Sequence, residues 1–199
     1  DLADKYRMPA MLLADGTMGQ MMEPVVLPEG HGATVEKPWA LTGTEMKRPH
    51  NVVNSLYLSP EVLERTNVER YERYEEVKKN ETRWEEYLME DAEYAIVAFG
   101  IAARVAKNAI KVLREKGIKA GLIRPITVWP FPTEPIREAS FRVKGFLSVE
   151  LSMGQMIEDV KLASECRKPV ELCYRAGGMI PDVERIVKSV EKMAEGGRN

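Results

Sequence analysis

Three prolines, Pro125, Pro130 and Pro132, limit more than any other feature how this chain folds. No helix runs through 125–132, because each proline lacks an N–H and disfavours the helical conformation of the residue before it. The apolar run Gly121-Leu122-Ile123 leads into them through Arg124, and Ile126, Val128, Trp129 and Phe131 lie between and beside them. A strand therefore ends in a rigid, irregular segment. An open α/β sheet meets its ligands and partners at the carboxyl ends of its strands, so the rest of the chain reads as the scaffold that presents this end.

That scaffold is clearest from Tyr94 onward. Tyr94-Ala95-Ile96-Val97-Ala98-Phe99 is a continuous apolar run, the pattern of a strand covered on both faces. In the following helix Ala102, Val105, Ala106, Ala109 and Leu113 share a face while Arg104, Lys107, Lys111 and Arg114 point away, and Gly117 supplies a left-handed stop. Ile118–Ile123 is the next strand. Thr133 caps a short helix through Ala139, Val143–Val149 forms a third strand ending at Glu150, and a helix with Met156, Val160 and Ala163 inward follows. Val170–Tyr174 is a fourth strand. The last helix starts at Pro181-Asp182, buries Val183, Ile186, Val187, Val190 and Met193, and stops at Gly196-Gly197. Strands alternating with helices predict a mostly parallel sheet with helices on both faces, right-handed crossovers, and strand exits near Gly100, Arg124, Glu150 and 175–178 along one edge.

The first half is less regular. Ala10–Ala14, ended by Asp15-Gly16, predicts a buried strand and a turn, with a short helix over 17–22. The chain opens Asp1-Leu2-Ala3-Asp4, with no initiator Met and no signal-peptide pattern, and so reads as a piece of a longer protein. Residues 24–60, including Pro28-Glu29-Gly30-His31-Gly32, read as a linker or arm. Ser59-Pro60-Glu61 is a good helix start, and Val68, Tyr71, Tyr74 and Val77 put a narrow apolar stripe on the helix that follows. Residues 83–88 fit either a continuation of that helix or an edge strand.

Charge is divided along the chain. Residues 61–93 carry a net −6 and residues 94–199 a net +6. A positive C-terminal part suits an acidic partner or a phosphate-bearing ligand, or is simply a set of solvated helix faces. Aromatics are not interleaved with the basic residues, which argues against nucleic acid. No apolar run approaches the roughly 18 residues that span a bilayer. Cys166 and Cys173 read as two reduced core thiols. Two thiolates do not hold an iron–sulfur cluster, and His31 and His50 have no second ligand nearby, so no metal site is expected.

Among candidate chemical groups, Glu150 is the best-placed carboxylate. It suits a general acid or base if buried, a cap for the next helix, or a partner for Arg124 on the neighbouring exit; the structural roles are favoured. Phe99-Gly100 opening a helix is a weak anion-site pattern, explained as well by a tight turn. No nucleophile–base triad or paired carboxylates emerge. Gly100, Arg124, Pro125, Trp129, Phe131, Glu150, Gly154 and Gln155 together mark the candidate strand-exit and interface edge.

Three segments carry a family likeness. Glu90–Glu93 with Ala95–Gly100, then Gly121–Pro132, then Val149–Met156 resemble the α subunit of 2-oxoacid:ferredoxin oxidoreductases. Trp39–Gly43 and Leu58–Glu61 are most similar to the branched-chain (2-oxoisovalerate) type. The resemblance covers nearly the whole chain and implies a cytoplasmic, thiamine-diphosphate-dependent, multisubunit enzyme. That enzyme would convert a 2-oxoacid and coenzyme A to acyl-coenzyme A and CO2 while reducing ferredoxin. It implies that 1–23 is the tail of a pyrimidine-binding domain, 24–81 a linker with a charged helix, and 82–199 a transketolase C-terminal-like domain. Such a domain is a three-layer α/β/α sandwich with a mostly parallel five-stranded sheet whose first strand is antiparallel, which tips 83–88 toward strand.

Thiamine diphosphate, Mg²⁺ and iron–sulfur clusters then belong to β-, γ- and δ-like subunits or to missing domains. The metal–diphosphate motif of thiamine enzymes, GDG followed by Asn, has no counterpart at Ala14-Asp15-Gly16, since Asn51 and Asn54 lie too far on. No catalytic residue carries over, and no cofactor is expected on this piece. The leading expectation is a non-catalytic part that holds a complex together, with Trp129 and Phe131 as apolar anchors. The alternatives are a phosphate-ligand-binding α/β module and an architectural dimerisation domain.

Overall fold

A computed structural model describes residues 1–27, 29–30 and 36–196. In chain order its elements are α1 (Leu2–Tyr6), α2 (Gly16–Gln20), α3 (Pro60–Glu81), β1 (Trp84–Tyr87), β2 (Tyr94–Val97) and α4 (Gly100–Glu115). Then come β3 (Ala120–Pro125), α5 (Thr133–Ser140), β4 (Gly145–Glu150), α6 (Met156–Ala163), β5 (Val170–Tyr174) and α7 (Val183–Gly196). The chain forms two compact units, one of residues 1–13 and 22–80, the other of 14–21 and 81–199.

The second unit carries the sheet, in the order β1-β3-β2-β4-β5. β1 runs antiparallel to β3, with Trp84 opposite Pro125 and Tyr87 opposite Leu122; the other three pairings are parallel. Alternation along the strands sends residues to opposite faces. Ile96, Ala98, Leu122, Leu147 and Cys173 meet Ala106, Ile110 and Leu113 of α4 and Ile186, Val187 and Val190 of α7. Ala95, Val97, Ile123 and Phe146 meet Ile136 and Ala139 of α5 and Val160 and Ala163 of α6. The result is the expected three-layer α/β/α sandwich. Each fully buried Ile, Leu or Phe contributes about 1.5–3 kcal/mol to it.

The antiparallel edge strand was legible only through the family likeness. Its four residues alternate between exposed and half-buried, a pattern too short and too wet to separate from the end of α3. α5 begins as expected, but Thr133 does not cap it. Its N-cap is Pro132, without a side-chain cap bond, and the Thr133 hydroxyl points back to the Phe131 carbonyl.

In the first unit, residues 24–59 hold no helix or strand among those described. Polar contacts tie that stretch down. Asn51 Nδ2 donates to the Pro38 and Ala40 carbonyls at 2.6 and 3.0 Å, Lys37 pairs with Asp4 at 2.7 Å, and the Arg7 guanidinium lies over the Trp39 ring. At the start of α3 the Ser59 hydroxyl donates to the Glu61 carboxylate at 2.7 Å. The predicted stripe on α3 leaves Val68 and Tyr71 exposed and Val77 buried. Pro28, His31 and Gly32 of the expected arm, and Gly197 of the expected final stop, lie outside the described residues.

Two expectations are corrected. Residues 10–14 are neither strand nor helix, and Met11, Leu12 and Leu13 are exposed; no strand pairs with the run, and apolar composition alone does not make one. Cys173 is a buried thiol, but Cys166 is exposed. Cys166 follows α6 in a left-handed turn with φ 52°, its N–H donating to the Lys161 carbonyl, and this turn carries the side chain out of the core.

Candidate functional site

The parallel strands end on one edge of the sheet, and the residues that follow them gather there. In sheet order these exits are 126–132 after β3, Phe99 and Gly100 after β2, 151–155 after β4, and 175–180 after β5. Of the eight candidate residues, Arg124, Pro125 and Glu150 close β3 and β4, while Gly100, Trp129, Phe131, Gly154 and Gln155 lie in the exits, and they do different things.

Glu150 is the centre of a helix cap. It ends β4, is buried, and its two oxygens accept five hydrogen bonds. The donors are the Ser148 and Ser152 hydroxyls, each at 2.8 Å, and the backbone N–H groups of Gln155, Met156 and Ile157 at 2.8, 3.1 and 2.8 Å. These N–H groups are the free donors of the first turn of α6, at the positive end of its dipole. Burial pushes the Glu150 pKa up, but the hydrogen bonds from the Gln155 N–H, Ser152, Ser148 and the Ile157 N–H outweigh it and hold the carboxyl below its ordinary value. A carboxylate so held accepts hydrogen bonds and is a poor proton donor near neutral pH. Gln155 contributes its backbone, and Gly154, at φ 110°, lets the chain turn from Glu150 into the cap.

Arg124 does not pair with Glu150. Its Nη1 donates to Glu85 on the neighbouring antiparallel strand at 2.9 Å, and Glu85 also takes Lys107 of α4. The Lys107 hydrogen bond, helped by Arg124 against some desolvation, lowers the Glu85 pKa. This bridge ties β1, β3 and α4 together.

Beyond it the proline segment splits by direction. Pro125, Pro130 and Pro132 are buried, the Trp129–Pro130 peptide is cis, and half-buried Phe131 packs on the Ile136–Phe146 cluster. Phe131 therefore anchors the loop inward. Trp129 is 54% exposed, with Ile126 and Val128 exposed beside it in sequence. Phe99, Met153 and Met179 are exposed at the other exits, so apolar side chains recur along the edge.

Gly100 has a role that its sequence signal did not reveal. It sits at φ 58°, and the α4 N-cap, Phe99, offers no side-chain cap bond. The cap comes from Asp15. One Asp15 oxygen accepts the Ile101 N–H at 2.9 Å while the other accepts the Met18 N–H of α2 at 2.8 Å. A Cβ at position 100 would stand 2.6 Å from the Asp15 carboxylate. The weak anion pattern at Phe99-Gly100 is thus answered by an anion of the chain itself. A mixed polar and apolar cleft lies alongside, between Asp15, Gly16, Thr17, Gln20 and Met21 and the exits at Leu151 and Gly178–Ile180.

The cofactors implied by the family likeness do not fit this edge. Among the described residues no three His, Cys, Asp or Glu side chains are grouped to hold a metal ion. Two separate cysteines do not make a cluster site, and Asp15, the one residue reminiscent of a diphosphate motif, is engaged with two backbone amides. Every buried side-chain nitrogen and oxygen among the described residues has a hydrogen-bond partner.

A profile for pyruvate:ferredoxin oxidoreductase core domain II matches residues 92–186, from the turn before β2 into α7. The ketoisovalerate oxidoreductase subunit VorB of Methanothermobacter marburgensis is 46% identical over 98% of this chain. The chain is thus similar in sequence to subunits of 2-oxoacid oxidoreductases. It spans 55% of the length of that VorB relative. In fold, the chain is similar to the 2-oxoglutarate:ferredoxin oxidoreductase of Magnetococcus marinus solved with 2-oxoglutarate, coenzyme A and succinyl-CoA bound. The TM-score is 0.57 at 19% identity, over 69% of this chain and 24% of that one. It is also similar to a split-gene transketolase in an inactive β4 tetramer, with a TM-score of 0.50 at 22% identity over 57% of this chain and 41% of that one. Both likenesses bear out the transketolase-like α/β fold.

The sequence offered the cap as one of three roles for Glu150, but did not single out Ser148 and Ser152, which bond to it, or Glu85, which takes Arg124. A Ser two residues before and two after a carboxylate was the available signal for the first pair. Asp15 carried an Asx-type start for α2, but nothing in the sequence pointed to Ile101.

Proposed function

We propose that this chain is part of the α subunit of a thiamine-diphosphate-dependent 2-oxoacid:ferredoxin oxidoreductase, acting on branched-chain 2-oxoacids of the ketoisovalerate type, and that its own role is structural. The observation that carries the reading is the 46% identity with a ketoisovalerate oxidoreductase subunit along 98% of the chain. In this reading 1–23 is the tail of a pyrimidine-binding domain, 24–81 a linker, and 82–199 the transketolase C-terminal-like domain. Its partners are the β-, γ- and δ-like subunits, which bring thiamine diphosphate, Mg²⁺ and the clusters, with coenzyme A and ferredoxin as co-substrates in the cytoplasm. No helix among the described residues is long and apolar enough to cross a membrane.

A structural role is supported by the chemistry of the edge. Its carboxylates are consumed by helix caps and a cation bridge, whereas its apolar side chains are left facing out. Relatives that bear the name of a subunit make another subunit the natural occupant of that face. A phosphate-binding module is less well supported, because the amino end of α4 already holds the Asp15 carboxylate.

The test is reconstitution. The chain, in its full-length subunit, is co-expressed with the adjacent subunits, and coenzyme-A-dependent reduction of ferredoxin is followed with 2-oxoisovalerate, pyruvate and 2-oxoglutarate. Preference for 2-oxoisovalerate by the assembly, with no reduction by the chain alone, is expected. Activity with none of the three, or micromolar binding of thiamine diphosphate by the isolated chain, would overturn the reading.

A further inference from the structure

Where β3 hands over to the proline loop, a side chain takes the place of a backbone bond. β1 and β3 pair antiparallel with Trp84 opposite Pro125, so the next step outward sets Arg83 opposite Ile126. A hydrogen-bonded antiparallel pair exchanges two backbone bonds. One of the two forms here: the Ile126 N–H donates to the Arg83 carbonyl at 3.0 Å. The Arg83 N–H, which a continued ladder would aim at the Ile126 carbonyl, donates instead to Thr127 Oγ1 at 2.9 Å. The Thr127 N–H also donates to the Arg83 carbonyl, at 3.1 Å, and the Thr127 hydroxyl lies 3.3 Å from that same carbonyl as a donor. Both backbone groups of Arg83 are thus engaged by Thr127, and the ladder ends two residues before Trp129. A hydroxyl suits this place because it accepts and donates at once. Valine has the same branched shape and does neither.

We propose that Thr127 is a positioning residue for the proline loop: by capturing Arg83 it fixes where the chain leaves β3 and so sets the approach of Trp129 to a neighbouring subunit. A loop ordered before association costs less to dock than one ordered during it. The role given to Thr127 rests on the reading of the Trp129 side as a subunit contact.

The test compares Thr127→Val, Thr127→Ser and Trp129→Ala with wild type in the full-length subunit, co-expressed with the adjacent subunits. Association is followed by pull-down titration, loop order by amide hydrogen exchange, and stability by a thermal melt. Thr127→Val is expected to speed exchange at the Arg83 amide and to weaken association, each by roughly three- to ten-fold, the scale of one lost neutral hydrogen bond, with little change in the melt. Thr127→Ser, which keeps the hydroxyl, is expected to restore both. Unchanged association in Thr127→Val alongside weakened association in Trp129→Ala would overturn the positioning role and leave the subunit reading standing. Unchanged association in both variants would remove the subunit contact at this loop, and the role of Thr127 with it. A loss that persists in Thr127→Ser, or that comes with faster exchange throughout β2, β3 and β4, would also overturn it, by making position 127 a matter of general stability.

Discussion

At the scale of single residues, Glu150 shows how a carboxylate in a promising place is spent on structure. Five donors converge on two oxygens, and removing the charge leaves buried N–H groups short of a strong acceptor. Glu150→Gln is expected to destabilise the fold by about 2–3 kcal/mol, the range for charge-assisted hydrogen bonds, in urea unfolding at pH 7. The pH dependence has a definite sign. The folded carboxyl titrates below the ordinary glutamate value of 4.5, so its contribution is complete above that pH and is lost as pH falls through the lower, folded value. Wild type and Glu150→Gln should therefore converge in stability on acidification below pH 4.5, and a gap that stays constant would show that the charge is not what stabilises. The cap was legible as one of the roles open to Glu150 because that residue ends β4 one short turn before α6 begins at Met156. The opposite case is Asp15, whose partner is 86 residues away and leaves no local trace.

At the scale of elements, the strands covered on both faces were read directly from their apolar runs, because a central parallel strand has no wet side to interrupt them. The run at 10–14 has the same composition without a neighbour to pair with, and it stays unpaired and exposed. The proline loop was legible as rigid, but not in which of its aromatics points out. Phe131 turned inward and Trp129 outward. This division sharpens one expectation: Trp129→Ala should weaken association with the partner subunits roughly ten-fold or more, as truncation of an aromatic anchor does at interface centres, while the thermal midpoint of the isolated chain moves little. Pull-down titration against the co-expressed subunits, paired with a thermal melt, reads both. A large drop in the melt would return Trp129 to the core.

At the scale of the molecule, both buried clusters are drawn from residues 89–190, and none of their members comes from the first 80 residues. A chain of residues 81–199 should accordingly fold without the rest and unfold in one cooperative step, as expected of single domains below about 150 residues. Circular dichroism and tryptophan fluorescence should give coincident urea transitions, and non-coincident ones would show that the first 80 residues complete the core. The division into a sheet-bearing unit and one without a strand among its described residues follows from where the apolar periodicity lies. The net charges of −6 and +6 on 61–93 and 94–199 belong largely to solvent-facing side chains and did not help to place any element.

The hydrogen bond from Ile101 to Asp15 also closes a very long loop. The entropy of closing a flexible loop rises only with the logarithm of its length, about 0.6 kcal/mol for each doubling. The stretch between Asp15 and the sheet is therefore under little thermodynamic pressure to keep its length. Insertions or deletions of ten residues within 24–59 should alter the strength of that distant contact hardly at all, leaving this stretch free to be reshaped while the edge of the sheet stays as it is.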